Sequence, residues 1–104
     1  MKKSTEVWLD NIEELAPKYA EAKANSFQVQ EFKKTQRSML YGRAFGKTVA
    51  DKEHWVNIQP EMEQANKAIA VAIEAEEELR WRLKQNELRI EVWRTEQANQ
   101  RMVG

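Results

Sequence analysis

The stretch from Ile58 to Gln97, IQPEMEQANKAIAVAIEAEEELRWRLKQNELRIEVWRTEQ, decides the fold. Stepping through it by four and three gives Ile58, Met62, Ala65, Ile69, Ala72, Glu76, Leu79, Leu83, Asn86, Ile90, Trp93 and Gln97. Nine of these twelve are apolar, over about five heptads. That spacing places them on one side of an α-helix as a coiled-coil-like seam. The residues between them are mostly Ala, Glu, Lys, Gln and Arg, all good helix formers, and no glycine interrupts the run. A helix over about 58–101 follows.

The segment before it has the same character. Glycine occurs only at Gly42, Gly46 and Gly104, and proline only at Pro17 and Pro60. Residues from about 5 to 42 therefore read as a second long helix, with Trp8, Ile12, Leu15, Tyr19, Ala22, Ser26 and Val29 on its seam. After Val29 the apolar residues change phase to Phe32, Gln36 and Met39. Pro17 removes the donor for the Glu13 carbonyl, but the apolar spacing holds from Trp8 through Tyr19. The expectation is one kinked helix. Between the long helices, residues of about 48–56 predict a short one, with Val49, Trp55 and Val56 as anchors. The fold class is all-α: an elongated antiparallel helical hairpin with a short intervening helix, in a single domain over 1–104.

GRAFGKT, Gly42 to Thr48, has the look of a phosphate-binding loop. Such a loop needs four residues between its glycines so that successive N–H groups can curl around phosphate. Here only Arg43, Ala44 and Phe45 separate them, and KKTQRSMLY before Gly42 is no buried strand. Helix punctuation accounts for the same residues. Gly42 suits the left-handed position after a helix, Gly46 a loop, and Thr48 the N-cap of the next helix, with Asp51 completing a capping box.

Catalytic and metal chemistry find little material. His54 is the lone histidine and cysteine is absent, so thiolate sites and disulfides are ruled out. Asp51-x-x-His54 is at most half of a carboxylate-bridged metal motif, and the Glu-rich runs read as solvated helix faces. No catalytic residue, metal site or cofactor is expected, and the chain reads as a non-enzyme. Basic and acidic residues balance at 17 each, which removes any general electrostatic case for nucleic acid or membrane. The opening MKKSTEVWLDNIEEL carries Glu6, Asp10, Glu13 and Glu14 where a secretory signal needs an apolar run, so a cytoplasmic location is expected.

Two local features suggest partners. At 100° per residue from Leu79, the seam residues Leu83, Asn86, Ile90 and Trp93 lie within about 40°, while Trp81, Leu88 and Val92 fall near 180 to 220°. The last helix thus has an apolar stripe opposite its seam. Trp81, Leu88, Val92 and Trp93 are the candidate residues for self-association and partner binding, a homo-oligomer being expected. Asn86 on the seam, with Glu76 and Gln97, would fix register. Charge supplies the other feature. Lys33, Lys34, Arg37, Arg43 and Lys47 form an acid-free segment, with Tyr41 and Phe45 among them and Arg80 and Arg82 flanking Trp81. Arginine beside stacking aromatics is the composition of a single-strand nucleic-acid platform, the alternative reading. The block Glu74, Glu76, Glu77 and Glu78 is expected to lie nearer Lys18 and Lys23 across the hairpin.

The run EEELRWRLKQNELRIEVWRTEQANQR, Glu76 to Arg101, resembles the C-terminal LRW…ARIEVWR…EA pattern of a group of small helical proteins of tailed phages and prophages. AEAKA at Ala20 to Ala24 and the KT of Lys47 and Thr48 are similar to the same group. The likeness spans most of the chain, but its motifs are helix faces, and no functional residue is established for the group. Leu88 stands where the group usually has Ala, and Pro17 interrupts the first helix. The resemblance implies a bacterial host cell, a phage or host protein as partner, and a setting among DNA replication and recombination genes.

Overall fold

In a computed structural model, described from Lys2 to Val103, the chain forms three helices: α1 (Ser4–Gly42), α2 (Val49–Asn57) and α3 (Pro60–Val103). Among the described residues there is no strand. The fold is an all-α helical hairpin, α1 and α3 pairing antiparallel. Their contacts group into two units: unit 1 combines Met1–Glu21 with Glu76–Gly104, and unit 2 is Ala22–Ala75. Each is described separately.

In unit 1, α1 presents Trp8, Ile12, Leu15 and Tyr19, all half-buried, to the half-buried Glu76, Leu79, Leu83, Ile90 and Gln97 and the buried Asn86 of α3. These are the positions the four-three spacing selects. Pro17 lies within α1, which continues through it as one helix; the proline is exposed. Trp93 departs from the expected seam, remaining 40% exposed.

Unit 2 holds the best-formed core. Leu40 and Val56 are fully enclosed, Met62 and Ala65 nearly so, and Tyr41, Ala44 and Trp55 pack around them. Leu40 closes α1, Val56 comes from α2, and Met62 and Ala65 open α3, so one cluster ties the three helices together. Val49 is exposed and anchors nothing; on this short helix Trp55 and Val56 do so. Ile58 is likewise exposed, because it is the C-cap of α2 and stands before the first residue of α3.

The expected change of phase in α1 does not occur. The enclosed or half-enclosed positions in this unit are Ala22, Ser26, Val29, Lys33, Gln36 and Leu40, an unbroken alternation of four and three. Phe32 and Met39 are exposed instead. The physical reason is the end of the seam: Leu40 is locked into the three-helix core, and a helix without a bulge cannot place Met39, 100° away, in the same slot. Lys33 takes the seam position by laying its aliphatic stem along the groove.

The segment between α1 and α2 confirms one part of the punctuation reading and corrects another. Thr48 is the N-cap of α2. Its Oγ1 accepts from the Asp51 amide at 3.1 Å, and the Asp51 carboxylate accepts from the Thr48 and Lys47 amides at 3.3 Å each. Gly42, however, belongs to α1 and is not left-handed. Positive φ occurs at Gly46, at +138°. A Cβ there would lie 2.4 Å from the Asp51 Cβ, whereas one at Gly42 would meet nothing within 4 Å. The capping box presses the chain against Gly46, and this decides which glycine is indispensable.

Candidate interaction surface on the last helix

Unit 1 leaves one side of α3 uncovered. Trp81, Leu88 and Val92 are 59%, 51% and 57% exposed. They recur at seven and four residues, along a line whose remaining position is Gln85. Leu88, Val92 and Trp93 line one shallow groove with Trp8 of α1, rimmed by Arg89 and Glu96. Trp81 and Leu88 line a second depression with Arg82 and Lys84. Leu88 and Gln85 belong to both, so the four candidate residues form one continuous apolar strip.

Trp8 was not among the candidates. Reading the antiparallel pairing in register would have found it. Asn11 faces Asn86, so a residue three earlier on α1 falls near the level of Trp93 on α3. The stripe on α3 alone hides this, because Trp8 reaches the groove from the neighbouring helix.

Charged side chains frame the strip and are largely satisfied locally. Arg80 makes a bidentate pair with Glu77, with bonds of 2.8 and 3.0 Å, and its guanidinium lies over the Trp81 ring at 4.8 Å. The hydrogen bond from Arg80 to Glu77, reinforced by that carboxylate's charge, holds the guanidinium above its ordinary pKa. Arg82 pairs with Glu78 at 2.6 Å, and Arg94 with Glu91 at 3.2 Å. Sequence distance explains this: Glu77 and Glu78 stand three and four residues before Arg80 and Arg82, the favourable helical order. The acidic block is thus neutralised by arginines on its own helix. Lys18 pairs with Glu14 and not with that block, correcting the expected cross-hairpin pairing.

Asn86 behaves as a register device inside unit 1. It is buried; its Oδ1 accepts from Asn11 Nδ2 at 3.1 Å, and its Nδ2 donates to the Arg82 carbonyl at 2.8 Å. Glu76 and Gln97, the other polar seam positions, are half-buried.

The basic candidates lie elsewhere and are only partly assembled. Lys33, Lys34 and Arg37 line one groove in unit 2 with Gln30, Ile69 and Ile73. Lys34 is paired with Glu31 at 2.9 Å, and Arg37 donates to Asn57 Oδ1 at 2.7 Å. Arg43 and Lys47 are exposed in the segment before α2 and line no part of that groove. Of the aromatics, Tyr41 is packed against the core with Lys52 6.0 Å from its ring centre, and Phe45 meets Trp55 edge-to-face at 5.8 Å. Arg80 and Arg82 belong to unit 1.

Among the described residues there is no group of three or more His, Asp or Glu placed to hold a metal ion, and no helix is long and apolar enough to cross a membrane. No family model matches the chain, and no curated protein or solved structure matches it significantly.

Proposed function

We propose that the chain is a non-enzymatic accessory protein that works by protein–protein interaction. It self-associates through the Trp81, Leu88, Val92 and Trp93 strip and engages a phage or host protein in a DNA replication or recombination setting in the bacterial cytoplasm. The observation that carries the reading is the strip itself. Three large apolar residues and a fourth half-exposed one lie contiguous on a helix whose other side is already packed. Patches of that kind mark interaction sites on soluble proteins, and tryptophan is enriched among residues that dominate binding energy. The setting rests on the resemblance of Glu76 to Arg101 to the phage group.

A second reading, single-stranded nucleic-acid binding, has one specific observation in its favour: Lys33, Lys34 and Arg37 share a groove. The local pairing of Lys34, Arg80 and Arg82 with carboxylates works against it. Titration with a fluorescent oligonucleotide separates the two. Phosphate contacts by about five basic side chains give a slope of log K on log salt near −3 to −4. An apolar interface gives association that survives several hundred millimolar salt. We expect the second pattern, with little oligonucleotide response even at low salt. Submicromolar, salt-sensitive binding abolished by Lys33→Glu with Arg37→Glu would put the nucleic-acid reading first.

A further inference from the structure

Unit 2 carries a second groove, of about 490 Å³, between the α1 and α3 segments on a side that neither the basic cluster nor the helix cap uses. Its lining includes Val29, Phe32 and Ala65, the amides of Gln36 and Gln64, and one charged group, Glu61. The Glu61 oxygen Oε2 is buried and accepts no hydrogen bond from any described residue. No basic side chain among the described residues forms an ion pair with this carboxylate. Most other carboxylates near a base in this chain are paired at 3.2 Å or less.

A carboxylate oxygen withdrawn from water and left without a donor is costly, and the remedy is a charged or strongly polar donor brought to it. The surroundings narrow which donor fits. Phe32 is 58% exposed and, with Val29 and Ala65, offers an apolar run leading to Glu61. Glutamine side chains around it can supply further acceptor oxygens. An apolar channel that ends in an anion and carbonyl acceptors fits a side chain with an aliphatic stem and a cationic head. An anionic or wholly apolar occupant would leave Glu61 unpaired.

We propose that this groove receives a lysine or arginine side chain presented by a partner polypeptide, with the stem along Val29 and Phe32 and the cationic head on Glu61. The site rests on the reading that the chain binds another protein, but it lies on a different surface from the Trp81 strip and is tested independently. The probes are an alanine-rich helical peptide carrying one lysine, its norleucine twin, and butylammonium as a free amine. Binding to the full chain is followed by NMR at the side-chain amides of Gln36 and Gln64 and the backbone amide of Glu61.

The lysine peptide should give saturable shifts confined to those signals. Binding should weaken about tenfold with norleucine or with Glu61→Gln, the loss expected for a hydrogen-bonded, partly desolvated charge. Phe32→Ala should also weaken it, and butylammonium should bind more weakly than the peptide. The variants' circular dichroism should stay helical. Equal binding of the norleucine twin, or undiminished binding by Glu61→Gln, would overturn the site. Butylammonium binding as tightly as the peptide would overturn its assignment to a polypeptide. Leu88→Glu should leave these shifts intact, so failure of the association surface and failure of this site give different results.

Discussion

Gly46 and Gly42 stand four residues apart and have opposite requirements. Gly46 holds φ at +138° with Asp51 pressed against it, so Gly46→Ala combines backbone strain with a clash at 2.4 Å and should destabilise by about 1 to 3 kcal/mol. Gly42 is helical with open space beside it. Gly42→Ala should be neutral or stabilise by up to about 1 kcal/mol. Urea unfolding of both variants checks the pair, and the reverse ranking would contradict the assignment of the turn. Thr48 and Asp51 were legible in the sequence because a capping box is local, formed by residues three apart. Which glycine turns left-handed was not legible, because it depends on how the capped helix folds back on the loop. Asn86 adds a similar case at a distance. Asn86→Leu should destabilise by about 1 to 3 kcal/mol by leaving Asn11 without its acceptor. Part of that loss should be recovered in the Asn11→Leu, Asn86→Leu double variant.

At the scale of the helix, periodicity identified nearly every enclosed position of α3 but misread the end of α1. The apolar residues Phe32 and Met39 suggested a new phase, whereas Leu40, fixed in the core with Val56 and Met62, holds the old one and places Lys33 and Gln36 on the seam. Hydrophobicity alone could not decide between two phases one residue apart. A contact supplied by two other helices decides it. Lys33 is therefore a polar residue at a half-buried apolar position. Lys33→Leu should raise stability by about 0.5 to 1.5 kcal/mol through added apolar burial, while Phe32→Gln should stay within about 0.5 kcal/mol. Thermal unfolding of the two variants distinguishes the phases: destabilisation by Phe32→Gln with no gain from Lys33→Leu would restore the phase change. The same shift explains why Phe32 is free to line the groove beside Glu61.

For the molecule as a whole, balanced charge is matched by local pairing, with carboxylates and bases three or four residues apart satisfying one another along each helix. Such exposed pairs add little stability, but they leave few charges to attract a polyanion and leave the apolar strip as the dominant uncovered feature. The sequence showed that strip through the angles of Trp81, Leu88 and Val92 about the helix axis. It did not show Trp8, which reaches the groove from the antiparallel neighbour, or the enclosed carboxylate of Glu61, which depends on packing between helices. Self-association through the strip is the central claim, and light scattering coupled to size-exclusion chromatography tests it most directly. At micromolar concentration and several hundred millimolar salt, the protein should elute as a dimer or larger. Leu88→Glu and Val92→Glu should each give a monomer with unchanged helical circular dichroism. A clean monomer from the unaltered chain, with Trp81, Leu88, Val92 and Trp93 all in place, would contradict the account.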